Sequence, residues 1–251
     1  MENNKIIYYE QLDSTNTMAS KLSNQGAEHG TVVVATRQTG GKGRRGRIWE
    51  SSDEGNIYMS VLLKPEFETE KAPMLTLVMA YSVAKVLQAS GFSDIQIKWP
   101  NDLILSGKKV CGILTEMHLQ GTAINHVVVG VGVNVNTQEF STELVNKATS
   151  LYLECGKRLE KEKLIVDIVD IFMKEYDHFV EVGNLEFMQE EYNAMLVNRE
   201  KEVCVLEPEN EYTAYALGIN QTGELEIRLP DGTEKTVFAG EVSVRGLYGY
   251  V

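Results

Sequence analysis

Apolar positions along the chain recur in two periods, and the switches between them outline the elements. Residues 5–9 alternate as a first strand. Asp13, Ser14, Thr15 and Asn16 then supply four successive capping or turn formers, and Met18, Ala19 and Leu22 give a short helical stripe that stops at Gly26. Residues 31–38 and 56–63 read as strands, the second stopped by Pro65. The clearest helix spans 73–89, with Pro73 at its start, a broad apolar face of Leu77, Met79, Tyr81, Val83, Ala84 and Leu87, and Gly91 as its stop. Residues 95–105 form two alternating fragments split by Pro100, which removes a ladder donor and holds Trp99 extended. Turns at Ser106-Gly107 and Gly121-Thr122 bound the runs 108–117 and 124–135, so this region reads as an antiparallel meander. Lys98, Asn101, Asp102 and Lys109 fall at its strand ends, where polar groups are held on a rigid support.

Helical spacing returns in a short helix at 149–156, a long one at 159–182 carrying Leu164, Ile168, Ile171, Phe172, Tyr176 and Phe179, and a further one at 186–196. From Asn198 onward the pattern becomes short strands with turn signals at Glu209-Asn210, Thr222-Gly223 and Asp231-Gly232. About fifty residues of that kind make a small β-barrel or sandwich. The chain therefore divides into a main domain, 1–197, and a small C-terminal domain, 198–251.

Composition is that of an ordinary globular protein of 251 residues, long enough to bury a substantial core. The start, Met-Glu-Asn-Asn-Lys, has no apolar secretory region, and the longest mostly apolar run, 72–84, falls short of the ~20 residues of a membrane helix. Cys111, Cys155 and Cys204 are odd in number and far apart, and the four histidines lack metal-ligand spacing. The expectation is a reduced, cytoplasmic enzyme without a disulfide frame or zinc site. A net charge of -12 argues against nucleic acid or an anionic membrane as the main partner.

Charge changes the picture in one place. Arg37, Lys42, Arg44, Arg45 and Arg47 crowd into residues 37–49, with no acidic residue between Glu28 and Glu50 and with Gly40, Gly41, Gly43 and Gly46 interspersed. The stretch reads as a mobile loop of backbone N–H groups and fixed cations, suited to phosphate or another anion. A solvated charged face is the bland alternative. Gly41-x-Gly43-x-x-Gly46 matches a dinucleotide-binding pattern, but no apolar helix follows it, and Gly41-x4-Gly46 lacks the Lys-Ser/Thr of a phosphate-binding P-loop. An RNA-binding Arg-Gly segment would be a poor footprint on a chain with pI near 4.9. Ser14, Thr15 and Asn16 read first as a helix N-cap, and their hydroxyls and amide could equally converge on a small polar head such as a ureido ring.

Gln38 to Trp49, Lys98-Trp99-Pro100-Asn101-Asp102, Lys109-Val-Cys-Gly112-Ile-Leu114 and Gly130-x-Gly132-Val-Asn134 together resemble biotin protein ligases, also called biotin-[acetyl-CoA-carboxylase] ligases. The match runs from Leu12-Asp13-Ser14-Thr15-Asn16 to Gly240-Glu241-Val-Ser-Val-Arg245, nearly the whole chain. The resemblance implies an α+β fold: a class II aminoacyl-tRNA synthetase-like catalytic domain with a mixed sheet, followed by a small SH3-like β-barrel. With about a dozen residues before the Asp-Ser-Thr-Asn motif, the chain looks like a ligase without the DNA-binding domain of some relatives.

The implied chemistry is attack of a biotin carboxylate on the α-phosphate of ATP, giving biotinyl-5'-AMP, then transfer to a lysine of a biotin carboxyl carrier protein. By the resemblance, Ser14, Thr15, Asn16 and Gln38 hold the biotin head, with Gly112 and Leu114 also in the biotin site. Gly41, Lys42, Gly43 and Arg44 close over its carboxylate and the phosphate. Lys109 is the leading catalytic cation, with Arg44 and Lys42 beside it. Trp49, Asn56, Lys98 and Asn134 contact the adenylate, and Asp102 helps to position magnesium. Lys42 stands where many relatives have Arg, which keeps the charge but loses the bidentate fork. Trp99 reads as core, while Asn56 and Asn134 have turn or strand-end roles as their alternative. A homodimer is also implied. Rival functions are a lipoate ligase or lipoyl/octanoyl transferase of the same fold, and a non-catalytic biotin-sensing regulator.

Overall fold

The structure, a computed structural model, describes residues 5–51, 54–207, 210–239 and 243–246. The expected turn residue Glu209 and the Gly240-Glu241-Val242 part of the closing motif lie outside these. A seven-stranded sheet is built from β1 (Ile6–Leu12), β2 (Val32–Gln38), β3 (Ile57–Leu63), β4 (Gln96–Lys98), β5 (Asp102–Leu105), β6 (Lys108–Gln120) and β7 (Ala123–Val133). Its spatial order is β1-β2-β3-β7-β6-β5-β4. The predicted meander is present: β4, β5, β6 and β7 pair antiparallel in sequence order. Among the described strands only β1 and β2 pair parallel, because α1 (Thr15–Asn24) makes the crossover that a parallel pair requires.

Alternation along the strands assigns the two faces. Val33, Ala35, Leu62 and Val128 pack in the small cluster that contains Ala19 of α1. Val32, Val34, Met59, Val61 and Val129 point the other way, into the main core with α2 (Met74–Ala89) and α4 (Lys161–Val182). Twelve of the sixteen residues of α2 are buried, so this helix is core on nearly all sides. The same burial explains Thr69–Ala89, which by length and apolarity could cross a membrane but is 72% buried within the protein. The predicted helices at 149–156, 159–182 and 186–196 are α3 (Leu151–Cys155), α4 and α5 (Glu186–Met195).

A second, antiparallel sheet has the order β11-β10-β9-β8-β12, from β8 (Lys201–Leu206), β9 (Glu211–Ile219), β10 (Leu225–Arg228), β11 (Glu234–Val237) and β12 (Ser243–Gly246). The whole is α+β: a mixed sheet with helices on both faces, followed by this SH3-like sheet. The two sheets share one apolar cluster, in which Val203, Val205, Ala216 and Ile227 join Ile97 and Leu105. Trp99 fastens the joint: it is 1% exposed, and its Nε1 donates to the Gly223 carbonyl at 3.0 Å. It is core, as expected. Truncating a buried aromatic of this size costs about 3–5 kcal/mol, and Trp99→Ala in denaturant unfolding checks that figure.

Candidate active site

One cavity opens at the meeting of α1, the cationic loop, the β4–β5 turn, β6 and β7, with Val244 and Arg245 of β12 at its rim. Its walls differ in chemistry. The neutral wall starts at the N-terminus of α1. Ser14 takes the N-cap position with extended backbone, as the N-cap reading expects, but its hydroxyl makes no capping bond. Thr15 and Asn16 instead turn inward. The Thr15 backbone N–H donates to Gln38 Oε1 at 2.8 Å, and its hydroxyl lies 3.1 Å from the same oxygen. Asn16 Nδ2 donates to the Leu114 carbonyl at 3.2 Å and to Glu116 Oε2 at 2.6 Å. Beneath both, Ser60 of β3 stands 2.7 Å from Thr15 Oγ1 and 2.6 Å from Asn16 Oδ1.

Glycines make room for these side chains. A Cβ at Gly130 would lie 2.1 Å from Asn16 Oδ1, and one at Gly132 or Gly112 would strike the Trp49 ring at 2.5 or 2.8 Å. Gly112 and Gly132 are register partners on β6 and β7, so the indole lies across a strip of bare backbone. Its Nε1 is buried without a hydrogen-bond partner among the described residues. Gly41, expected in the biotin site, does not line the cavity; it packs behind it, where a Cβ would meet Ser51 Oγ and Trp49 O at 2.5 Å. It lets the loop close behind Gln38, whose Nε2 donates to Ser51 Oγ.

The other wall is cationic. The loop expected from the sequence folds as a hairpin. Lys42 and Ile48 form an antiparallel bridge, Gly43 N–H donates to the Arg47 carbonyl and Trp49 N–H to Gly41. Arg45 and Gly46 reverse the chain at φ 58° and 71°. The backbone donors of Gly43 and Trp49 are therefore engaged within the loop, and the loop's side chains carry its charge to the cavity. Arg44 Nη1 donates to Asn101 Oδ1 at 2.9 Å, and Nη2 to the Ala239 carbonyl, tying the loop to the C-terminal sheet. Burial lowers the Arg44 pKa, Asp102 opposing and Arg45 and Arg47 reinforcing the shift. Lys42 ties the loop to α1 through Thr17 Oγ1 at 3.2 Å.

Lys109 Nζ reaches Asp102 Oδ1 at 2.5 Å and lies 5.1 Å from the centre of the Trp49 ring. Its backbone is strapped by Lys147 and Thr149. Lys98 is 4% exposed. Burial pulls its pKa down to about 8, a shift that Asp102 opposes and that Lys109, Arg245 and Arg47 reinforce. Asp102 is the sole carboxylate lining the cavity among the described residues. Asn101, whose Nδ2 donates to Asp102 Oδ1 and to the Ile113 carbonyl and whose Oδ1 accepts from Arg44, links the Arg44 guanidinium to the Asp102 carboxylate.

Ser14, Thr15, Asn16, Gln38, Lys42, Gly43, Arg44, Trp49, Lys98, Asp102, Lys109, Gly112 and Leu114 are thus brought together. Asn56 and Asn134 are not. Asn56 ties Tyr58, Thr137 and the Val135 N–H, and Asn134 donates to the Thr149 carbonyl; both act as strand-end ties. Sequence reasoning missed Ser60 and Glu116 and gave Arg245 no role, while Asn101, expected as a polar strand-end group, does line the cavity. A small polar residue in the otherwise apolar and aromatic run of β3 was the signal for Ser60.

Residues 8–134 match the Biotin/lipoate A/B protein ligase family, and residues 200–245 the Biotin protein ligase C terminal domain. The chain is 34% identical over 243 residues to the bifunctional ligase/repressor BirA of Bacillus spizizenii, covering 95% of this chain and 74% of that protein. It is 39% identical over 125 residues to the biotin–[acetyl-CoA-carboxylase] ligase of Paracoccus denitrificans, covering 49% and 51%. Its fold superposes with TM-score 0.84 and 31% identity on the biotin protein ligase from Aquifex aeolicus in complex with biotin and ATP, covering 96% and 99%. With residues 8–134 and 200–245 both matched and a relative 34% identical over 95% of the chain, the chain belongs to the biotin protein ligases.

Proposed function

We propose that the cavity joins biotin to ATP as biotinyl-5'-AMP, releasing pyrophosphate, and passes the biotinyl group to a lysine of a biotin carboxyl carrier protein. The observation that carries this reading is the division of the cavity into a neutral, hydrogen-bonded wall and a cluster of Arg44, Lys98 and Lys109 around one carboxylate. The neutral wall offers Thr15, Asn16 and Gln38, with Ser14 beside them, to a polar ring, and the strip of Gly112 and Gly132 under Trp49 suits its apolar part.

In the first step a carboxylate oxygen attacks the α-phosphorus and pyrophosphate departs. Two anions must meet, and a pair of unit charges at ~4 Å costs about 4 kcal/mol at an effective dielectric near 20. Lys109 and Arg44 offset that repulsion, Lys98 holds phosphate, and Lys42 keeps the loop closed on α1. In the second step the carrier lysine's amine attacks the carbonyl of the mixed anhydride and AMP leaves. No nucleophile from this chain is needed. The described residues contain no group of three or more carboxylate, His or Cys ligands able to hold a metal. One carboxylate plus substrate phosphates is nevertheless a sufficient set for magnesium, and Asp102 is the residue that would hold it, shielding phosphate charge.

The division at 197/198 separates the catalytic unit from the C-terminal sheet that pins Arg44. The outer part of β6, with exposed Met117 and Leu119, supports a homodimer, testable by sedimentation. Three free cysteines suit the cytoplasm. ATP-dependent pyrophosphate release tests the main reading. Release with biotin and retention of biotinyl-adenylate are expected; release with lipoate alone would overturn the substrate, and release with neither would overturn the activity.

A further inference from the structure

We propose that Ser60 is a positioning residue for the biotin head, acting through the protons of Asn16 and Thr15. The inference rests on the proposed reading of the cavity. Ser60 is fully buried in the middle of β3, a strand whose seven residues are all buried and whose other side chains are apolar or aromatic. Its register partner on β7 is Gly130, the position where a Cβ would collide with Asn16 Oδ1. One strand supplies the hydroxyl and its neighbour the space, so the pair forms a seat for the Asn16 amide.

Proton counting shows what the seat does. Asn16 Nδ2 faces two acceptors, the Leu114 carbonyl and Glu116 Oε2, which fixes the amide orientation and leaves Oδ1 as an acceptor. Ser60 lies 2.6 Å from that oxygen and owns one proton. With that proton given to Asn16, Ser60 meets Thr15 Oγ1, at 2.7 Å, only as an acceptor. Thr15 can then donate either to Ser60 or to Gln38 Oε1. When a ligand N–H claims Gln38 Oε1, the Thr15 proton moves to Ser60 and a Thr15 lone pair is freed toward the cavity. The network thereby favours a head group that donates through N–H, as a ureido ring does. Without Ser60, Thr15 keeps occupying Gln38 and Asn16 Oδ1 loses its donor.

Steady-state kinetics of Ser60→Ala test this, with wild-type biotin-dependent pyrophosphate release measured first. Failure of the wild-type turnover would defeat the proposed activity, whereas normal wild-type turnover isolates Ser60. Loss of one buried bond predicts a rise of about 10- to 100-fold in KM for biotin, with KM for ATP unchanged. Ser60→Cys, which keeps a weak donor, should fall between. In a double-mutant cycle Ser60→Ala should add little once Asn16 is Ala. Ser82→Ala, which removes another buried serine hydroxyl bonded to the Val78 carbonyl, should leave KM for biotin alone. An unchanged KM for biotin, an equal rise for ATP, or additivity with Asn16→Ala would overturn the assignment.

Discussion

The two walls of the cavity are made on opposite plans. On the neutral wall, Thr15, Asn16, Gln38 and Ser60 come from a helix and two strands, and each is held by bonds to the others. On the cationic wall, Arg44 and Lys42 ride on a hairpin loop, while Lys98 and Lys109 come from strand ends and are crowded with like charge. The first arrangement is preorganised by hydrogen bonds within the protein, and on the proposed reading these select the ligand. The second concentrates positive charge that anionic substrates can relieve. On the proposed reading, recognition resides in the scaffold and catalysis in charge that the scaffold gathers.

The largest effect that would sharpen this contrast is loss of Lys109. Removing one preplaced charge from a developing anion costs about 10²- to 10³-fold in rate. Lys109→Ala should lower kcat for adenylation by that amount while the fold persists, because the side chain touches Asp102 and Trp49 at the cavity rather than the core. Normal turnover would move the main catalytic charge elsewhere. Arg44→Ala should act next most strongly. It cuts the ties to Asn101 and Ala239 that hold the loop down, so the adenylate should escape about tenfold or more faster, the loss of one charged hydrogen bond being worth roughly 1.5–3 kcal/mol. Bystander proteins should then become biotinylated. Gel filtration of the enzyme after one turnover checks retention, and undiminished retention would show that the loop is held by other contacts.

The contrast also marks how far the sequence could be read. The cationic wall was legible because five cations within thirteen residues of an acidic chain are a local signal. So were the helices and the meander, whose periods are local too. Ser14, Thr15 and Asn16 were ambiguous, since an N-cap and an inward-facing cluster use the same residue types; only the tertiary partner Gln38 decides. Ser60 and Glu116 were hidden because their roles depend on strand register, which brings Ser60 under an asparagine 44 residues away. Asn56 and Asn134 show the reverse: quoted from motifs, they tie strand ends, since a polar residue at a strand end serves backbone and ligand equally well.

Gly130 and Gly132 offer a direct comparison between the two plans, two residues apart on one strand. Alanine at Gly130 would push against an Asn16 amide fixed by Ser60, Leu114 and Glu116. Overpacking of a held group costs about 1–3 kcal/mol, so KM for biotin should rise by roughly 5- to 100-fold. Alanine at Gly132 would push against Trp49, which the loop can carry aside, so the rise should be smaller. Equal effects, measured side by side at saturating ATP, would mean that loop and scaffold yield alike.

The smallest effect is one of pH, and it reads the cationic wall from within. Burial and the neighbouring cations hold the Lys98 pKa at about 8, so in the free enzyme the ammonium is the dominant form at pH 7 and is lost above that value. If the charged form binds phosphate, kcat/KM for ATP should be level below about pH 8 and fall about tenfold per unit above it. The same profile for biotin binding, measured without ATP, should be flat there, because Thr15, Asn16 and Gln38 do not titrate. Lys98→Arg should remove the limb, since a guanidinium stays charged throughout. A limb that survives in the arginine variant would assign the titration to another group and separate Lys98 from phosphate binding.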